Sequence, residues 1–243
     1  MITRRAKVAA VTALSALVAV ATLAGCGSSS PAVTPITAET GGSASGTSTA
    51  GGATNPATAS TTSTTGTSQL GPEGIPLETG PLLAPASTTL PGTIVDGIQC
   101  APLEQLAYHI HAHLQVYVDG QPRTLPAAIG LVDPMAQQTP YGPFYGAQKC
   151  YYWLHTHATD GIIHIESPTP RIYTLGNFFD LWGQPLSDRR VAGAAGVVRA
   201  TVNGRRWTKG PRAIPLKKHE VIQLAVGKPI PRFHKVNWAA SQL

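Results

Sequence analysis

The stretch that most constrains the fold is residues 151–166, which read YYWLHTHATDGIIHIE. Two alternating apolar runs flank residues 158–161, and an Asp-Gly step between such runs predicts a β-hairpin. If those four residues are the loop, His155 lies opposite His164, and directly opposed residues of an antiparallel pair point to the same face. The stretch therefore predicts one face that carries three histidines and one acid: His155, His157, His164 and Glu166.

A second histidine-rich stretch, residues 106–118, alternates between apolar and polar residues with a period of two. This pattern predicts a half-buried strand. Asp119-Gly120 predicts a turn, after which residues 121–125 return as a hairpin partner. The polar face of the strand carries three more histidines: His109, His111 and His113. If both stretches belong to one sheet, all six histidines line the same surface.

Further short strands are predicted in the second half of the chain. Residues 197–208 contain Asn203-Gly204 between β-forming runs, which predicts another hairpin, and residues 220–226 predict a strand. Residues 127–148, rich in Gly and Pro, are predicted to be a long loop with Tyr141, Phe144 and Tyr145. Such a loop either covers the histidine face or packs as an Ω-loop without function.

One short helix is predicted over residues 175–182, with Thr174 as its N-cap and Gly183 at its end. Its bulky side chains predict that it closes one end of the core. With seven to nine short strands, the expected fold is mostly β: an antiparallel sandwich or a partly open barrel with one short helix.

The N-terminus has the composition of an export signal. Residues 3–7 are charged, residues 8–23 form an apolar run too short to span a bilayer comfortably, and small residues follow. Leu23-Ala24-Gly25-Cys26 resembles the lipobox of bacterial lipoproteins. The resemblance implies a signal peptide over residues 1–25, a lipidated Cys26 whose acyl chains anchor the protein in the bilayer, and a location on the extracytoplasmic face of the cell membrane. An ordinary secretory signal with an incidental cysteine is the alternative.

The residues that follow have the composition of a linker. Residues 27–90 consist mainly of Ser, Thr, Gly, Ala and Pro. Such a segment cannot bury enough apolar surface to offset the entropy of ordering it. We therefore expect a disordered tether over residues 26–90 and a single β-rich domain over residues 91–243.

Two cysteines remain after Cys26, namely Cys100 and Cys150. An even pair in an oxidising compartment favours a disulfide, which would join the base of the central hairpin to the start of the domain. Two thiolate metal ligands are the alternative.

Positive charge is concentrated late in the chain. Residues 187–235 contain twelve Lys or Arg against two acids, Asp188 and Glu220. This segment is either a solvated face or a surface for anionic lipid headgroups or wall polymers. No nucleic-acid motif accompanies the charge, so a nucleic-acid partner is not expected.

The six clustered histidines are candidate metal ligands, because neutral imidazole suits Zn, Cu and Ni. Met135 is the only methionine beyond residue 1, which disfavours a Cu(I) site built on thioethers. Zn or Cu(II) is left, and Cu(II) has the higher intrinsic affinity. A hydrogen-bonded polar face without a metal is the alternative. His219 and His234 are predicted to be surface residues.

Glu166 has three candidate roles. It can ligate the metal, accept a hydrogen bond that fixes a histidine tautomer, or act as a general base beside a metal-bound water. Of these, the hydrogen-bond acceptor is the role that we expect first.

Three resemblances concern the histidines and their surroundings. His155-x-His157 with His164 on the adjacent strand is similar to the zinc arrangement of α-type carbonic anhydrases, but the similarity is local and implies neither that fold nor that activity. His-x-His also occurs in the cupin metal motif, whose later Glu and Gly spacing is missing here. Residues 105–226, through YWLHTHATDGIIHIESP and TLGNFFDLWGQPL, resemble an exported bacterial family of uncharacterised function, which implies a shared domain and no activity.

Three functions fit these features. Surplus histidines favour a metal scavenger, buffer or delivery protein, since a catalytic zinc site needs only three protein ligands and an open position. A zinc-dependent hydrolase or lyase with Glu166 as the base is the second. A pH-responsive binding module is the third, because histidines titrate near neutral pH. No serine-hydrolase elbow, P-loop or dinucleotide fingerprint occurs, which sets those enzyme classes aside.

Overall fold

The computed structural model of the chain describes residues 69–87 and 91–243. The predicted signal peptide, Cys26 and most of the predicted tether lie outside the described residues. The strands and helices follow one another as β1 (Cys100–Ala101), β2 (Tyr108–Val118), β3 (Gln121–Arg123), β4 (Leu131–Thr139), β5 (Gly142–Tyr152), β6 (Leu154–His155), β7 (Ile162–Ser167), β8 (Tyr173–Thr174), α1 (Leu175–Trp182), β9 (Leu186–Ser187), β10 (Arg190–Val191), β11 (Ala194–Ala195), β12 (Val198–Val202), β13 (Arg205–Trp207), β14 (Pro215–Leu216) and β15 (Glu220–Val226), with 3₁₀ turns at Pro211–Ala213 and Trp238–Ala240.

The largest sheet has seven strands, in the order β13-β12-β15-β2-β7-β6 with β3 on β2. Its neighbouring strands are antiparallel, except that β15 runs parallel to β2. Smaller sheets are formed by β1-β5-β4, β11-β10-β9 and β14-β8. The predicted mostly-β fold with one α-helix is confirmed, and its sheets are open rather than closed into a barrel.

Two of the three predicted Asx-Gly turns have two consecutive positive φ angles, whereas in Asp160-Gly161 only the glycine has a positive φ. Asp119 and Gly120 have φ angles of 50° and 77°, and Asn203 and Gly204 have φ angles of 48° and 78°. Two consecutive positive φ angles define a type I′ turn, whose twist matches that of the flanking strands. The turns join β2 to β3 and β12 to β13, so the local sequence fixes the register of two strand pairs in the large sheet.

Helix α1 has the predicted bounds. The Thr174 Oγ1 accepts a hydrogen bond from the Asn177 backbone N–H, the Asn177 side chain bonds back to the Thr174 backbone N–H, and Gly183 ends the helix at φ 72°. A capping box and a left-handed C-cap glycine satisfy the end groups that a helix this short cannot pair internally. Phe178 and Trp182 are fully buried, and α1 therefore closes the core as predicted.

The core lies on one face of the large sheet. The apolar residues of β2 all pack into it or against it, as the period of two predicts. They meet the apolar residues of β7 and β15 and the buried face of α1. The histidines lie on the opposite face of β2 and β7 and are therefore separated from the apolar core.

Residues 69–87, which their composition assigns to the tether, pack against the domain. Ile75 is 1% exposed. The Leu83 backbone N–H donates to the Thr124 carbonyl oxygen at 2.9 Å, and the Trp182 indole N–H donates to the Pro85 carbonyl oxygen at 2.9 Å. The predicted domain boundary at residue 91 is therefore too late, because residues 69–87 already belong to the folded region.

Residues 127–148 are not the predicted loop. Most of them form β4 and β5, which pair as a long antiparallel hairpin with an irregularity between Val132 and Pro134. Most of its side chains are exposed or half-buried, so no apolar alternation marks the strands in the sequence. Strand β5 continues to Tyr152, and the predicted central hairpin is accordingly reduced to the two residue pairs between β6 and β7.

Cys100 and Cys150 form the predicted disulfide, which encloses a sequence separation of 50 residues. It joins β1 to β5 just before the histidine-bearing β6. Both cysteines are thereby removed from the set of candidate metal ligands.

Within residues 69–87 and 91–243, no helix has the length and apolar character needed to cross a membrane.

Candidate metal centre

Three neighbouring strands bring the two histidine-rich stretches together. Strand β7 lies between β2 and β6, so His164 has His111 opposite it on one side and His155 on the other. One step along the same face, Glu166 lies opposite His109. The predicted pairing of His155 with His164 is confirmed, and both histidine stretches belong to one sheet.

His157 lies just beyond β6, outside the strand ladder, and still joins the cluster. Its Nε2 is 3.0 Å from the Nε2 of His155. Its ring stacks on Phe144 with ring centroids 4.3 Å apart, and its Nδ1 contacts the backbone of Tyr145. The β4–β5 hairpin therefore covers the histidine face, one of the two roles predicted for residues 127–148.

The tautomers of His155 and His157 are set by backbone carbonyl groups. His155 Nδ1 donates to the Tyr152 carbonyl oxygen at 2.8 Å, and His157 Nδ1 donates to the Tyr145 carbonyl oxygen at 2.6 Å. A neutral imidazole carries one N–H, so neither Nε2 is protonated. The two Nε2 atoms therefore direct lone pairs at each other across 3.0 Å.

His164 has the opposite character. Its Nε2 donates to Glu73 Oε1 at 2.6 Å and its Nδ1 donates to Glu166 Oε1 at 3.0 Å, which requires a proton on both nitrogens. Burial alone would lower the pKa of His164, but the negative charges of Glu73 and Glu166 outweigh it and raise the pKa to about 10. His164 is thus a buried imidazolium held between two carboxylates.

Three histidines beside His164, namely His111, His155 and His157, are neutral at physiological pH. Burial, with the positive charge of His164 next, lowers the pKa of His111 to about 3 and that of His157 to about 4. Burial, followed by the effect of His157, lowers the pKa of His155 well below its usual value. Neutral imidazoles are ready to bind metal. These pKa values are far from neutral pH, which weakens the hypothesis of a pH-responsive module.

Glu166 contacts several members of the cluster at once. Its Oε1 accepts from His164 Nδ1, lies 3.0 Å from His109 Nε2 and lies 3.9 Å from His155 Nε2. Its Oε2 has no hydrogen-bond partner within residues 69–87 and 91–243. The contact with His164 fits the role expected first for Glu166, fixing the protonation of a histidine, and the free Oε2 keeps a ligand role available.

Two overlapping groups of side chains can hold a metal ion. Their donor atoms lie within 4.8 Å of one another in each group: His109, His111, His164 and Glu166 in the first, and His155, His157, His164 and Glu166 in the second. Two buried polar atoms of these groups, His111 Nε2 and Glu166 Oε2, lack a hydrogen-bond partner among the described residues. Unpaired buried polar atoms are uncommon in folded proteins, and cations held by these groups would satisfy both.

His113 is the one clustered histidine that does not reach these groups. The ladder between β2 and β7 ends where His113 lies opposite Ile162, and the turn at Gly161 then brings the chain close to the His113 ring. His113 stacks on His234 with ring centroids 5.6 Å apart and lines a separate pocket of about 180 Å³ with Glu78. Burial, with His234 next, lowers its pKa to about 3.

The two histidines expected at the surface are half-buried instead. His234 packs on His113, and His219 stacks on Trp238 with ring centroids 4.6 Å apart. In both contacts the two residues are separated along the sequence. The basic composition around His219 and His234 does not indicate such contacts.

Two carboxylates of the cluster were not predicted from the sequence. Glu73 reaches His164 across 91 residues, and Glu104 Oε1 lies 3.5 Å from His157 Nε2. Glu73 is one of only three acids in residues 27–90, together with Glu39 and Glu78. The sequence does show that Glu73 is an isolated acid in a segment of small polar residues. That pattern does not indicate that Glu73 contacts His164.

An apolar groove of about 350 Å³ adjoins the cluster. Its walls include Leu77, Ala128 and Tyr141, together with Tyr145, whose carbonyl oxygen bonds His157. A groove of this size and lining is typical of small-molecule sites.

Models of protein families, curated proteins and solved structures show no match to this chain. The function is therefore inferred from the geometry of the site.

Proposed function

We propose that the protein binds a transition metal ion through this histidine cluster. The observation that carries the proposal is the pair of bare nitrogens, His155 Nε2 and His157 Nε2, which lie 3.0 Å apart. Two nitrogens that are each about 2.0–2.1 Å from one ion are themselves separated by roughly 3 Å. A divalent ion therefore replaces a repulsion between lone pairs with two coordinate bonds.

A proton is the other cation that can lie between these nitrogens. It would place a second imidazolium beside the charged His164, and burial together with that charge lowers the pKa of His157 to about 4. At neutral pH the proton is therefore disfavoured. A metal ion bound by several ligands overcomes the same desolvation, because every lone pair of the cluster contributes.

The hydrogen bonds around the histidines support ligation. Metal-binding histidines usually donate the N–H that does not face the metal to a carbonyl or carboxylate. His155 and His157 donate their Nδ1–H groups to backbone carbonyl oxygens, which leaves each Nε2 free. The rings are thus already oriented for binding, which lowers the entropy that ligation would cost.

Zn(II) or Cu(II) suits this donor set best. Imidazole and carboxylate ligands bind both ions, and Cu(II) binds such sites more tightly. Met135, the only methionine after residue 1, lies on the exposed β4 and is not part of the cluster. A thioether site for Cu(I) is therefore not supported.

The proposed role is that of an extracytoplasmic scavenger, buffer or delivery protein for this metal. The number of histidines supports it, since five lie in the two overlapping groups and a catalytic site needs fewer. The resemblance of residues 23–26 to a lipobox supports an anchor at Cys26 in the cell membrane, with the domain on its outer face. The basic segment 187–235 extends the proposal to contact with an anionic envelope surface, and no nucleic-acid partner is proposed.

The proposal is tested on the full chain, because Glu73 and Glu78 lie outside residues 91–243. The chain is loaded with Zn(II) or Cu(II), free ions are removed by gel filtration, and bound metal is measured by mass spectrometry. The His155→Asn/His157→Asn variant should weaken binding by more than the roughly 10–100-fold that losing an orienting partner costs.

The matched control is His219→Asn/His234→Asn, which removes two histidines outside the metal-binding groups and should retain the wild-type affinity. A wild-type chain without saturable binding of either ion would contradict the proposal.

A zinc-dependent hydrolase or lyase remains the second candidate, and the apolar groove beside His157 favours it. In that case a substrate occupies the groove and Glu166 serves as the base. Zn-loaded wild type should then hydrolyse an activated ester faster than the metal-free chain and faster than the His155→Asn/His157→Asn variant. Equal rates in all three would exclude ester hydrolysis at this centre.

A further inference from the structure

The two metal-binding groups share the residues of the middle strand. His164 and Glu166 belong to both groups, His109 and His111 belong only to the first, and His155 and His157 belong only to the second. The sheet explains this symmetry, because β7 is flanked by β2 on one side and by β6 on the other. Each side of His164 and Glu166 therefore carries its own pair of imidazoles.

We propose that the centre holds two metal ions with Glu166 as the bridging ligand. His155 and His157 hold the inner ion, and His109 and His111 hold the outer one. This inference rests on the proposed metal-binding function and specifies its stoichiometry.

The number of donor atoms favours two ions over one. A single Zn(II) or Cu(II) ion uses about four protein ligands, whereas five histidines and Glu166 converge here. One ion between His155 and His157 would leave His111 Nε2 buried without a partner. Two ions satisfy the nitrogens on both sides of β7.

Glu166 lies between the two pairs of imidazoles, where a bridging ligand must lie. Its Oε1 lies 3.0 Å from His109 Nε2 on one side and 3.9 Å from His155 Nε2 on the other, and its Oε2 has no partner. A carboxylate has two oxygens and can bind one ion with each. Ions in two-metal sites are about 3.5–4 Å apart, which is within the span of one carboxylate and its neighbouring imidazoles.

The charges of the surroundings also suit two divalent ions. Three carboxylates contact the cluster: Glu73 on His164, Glu104 on His157, and Glu166. Once the proton of His164 is displaced, they carry three negative charges against the four positive charges of two divalent ions, which limits the cost of bringing the ions out of water.

The two positions differ in exposure. The His155 and His157 side chains are 0% and 2% exposed, whereas the His109 side chain is 35% exposed. The inner ion is therefore shielded from solvent, and the outer ion is the one that exchanges. A delivery protein of this design would retain the inner ion and transfer the outer one.

The test measures stoichiometry and magnetic coupling in the full chain. Zn-loaded wild type should carry two ions per chain after gel filtration. Loaded with Cu(II), it should give an EPR signal well below the intensity of two isolated ions, because neighbouring Cu(II) ions couple. His111→Asn should carry one ion and give the full signal of one isolated Cu(II).

His109→Asn is the second variant, because its partly exposed side chain makes a folding defect less of a concern, and it should also carry one ion. The control is His113→Asn on the same strand and face, which should keep two coupled ions.

One ion in the wild type would overturn the dinuclear centre and leave metal binding intact. Two ions with an uncoupled signal would also overturn it, since the second ion would then lie elsewhere. No bound ion would reject both this inference and the proposed function.

Discussion

At the scale of single residues, Glu73 determines the charge of the cluster before metal binds. Its carboxylate holds a proton on His164 Nε2, the nitrogen opposite the one that faces Glu166. Burial alone would raise the pKa of Glu73, but the charge of His164 outweighs it and lowers that pKa. Because ligation requires a free nitrogen lone pair, an ion that binds His164 must displace this proton. Glu73 would therefore compete with a metal ion for His164.

This pairing predicts the pH dependence of the metal-free chain. The folded-state pKa of His164, about 10, exceeds its unfolded value of about 6.5. Charged His164 therefore stabilises the fold fully below pH 6.5, and this contribution is lost as the pH rises towards 10. Glu73→Gln should lower the free energy of unfolding at pH 6 and flatten its decline between pH 6 and 9, as measured by urea unfolding with a chelator present.

The control for this measurement is Glu220→Gln, which neutralises a buried acid that makes no contact with the histidine cluster. Its stability should decline with pH as in wild type. A Glu73→Gln variant with the wild-type decline would show that Glu73 does not hold the proton on His164.

At the scale of elements, the sequence predicted correctly those strands and helices whose ends are fixed by a turn or a helix cap. Asn203-Gly204 and Thr174 with Gly183 predicted a hairpin and a helix that are both present. The β4–β5 hairpin was missed because its exposed strands have no apolar alternation, and the parallel pairing of β15 with β2 has no local signature.

The same distinction applies to the site. The opposition of His155 and His164 follows from a short loop and was predicted, whereas the common sheet of the two histidine stretches was only a condition in the sequence analysis and is shown by the strand pairing. The separation of His113 depends on where the β2–β7 ladder ends, and the contact of Glu73 spans 91 residues. Neither feature can be derived from spacing along the chain.

The disulfide between β1 and β5 gives a prediction at this scale. Closing a loop of this length restricts the unfolded chain and stabilises the fold by roughly 4 kcal/mol in the chain-entropy model. Cys100→Ser/Cys150→Ser should lower the free energy of unfolding by about that amount in urea titrations at neutral pH. A reducing agent should destabilise wild type to a similar extent and leave the variant unchanged.

Metal binding by the disulfide variant provides an independent check. The bridge lies outside both metal-binding groups, so the folded variant should bind as many ions as wild type. Loss of an ion would instead show that the bridge is needed to hold the neighbouring β6 and its His155 in position.

At the scale of the whole molecule, part of the positive charge lies at one edge of the large sheet. All twelve Lys and Arg residues of segment 187–235 are exposed. Arg199, Arg206 and Lys228 line one shallow depression at the β12–β13 edge of the large sheet, beside the partly exposed Ile230. The histidine cluster lies toward the other edge, on β2, β7 and β6. Contact through the basic edge would therefore leave the metal centre accessible.

The last prediction concerns this basic edge. A chain lacking residues 1–26, and with them the proposed anchor, should sediment with vesicles that contain phosphatidylglycerol and not with vesicles of phosphatidylcholine alone. Binding should disappear near 0.5 M salt, since the screening length is then only about 4–5 Å. Arg205→Gln/Arg206→Gln should weaken it more than Arg123→Gln/Lys149→Gln, which removes the same charge elsewhere on the domain. Equal weakening by the two pairs would mean that net charge, rather than this edge, drives the association.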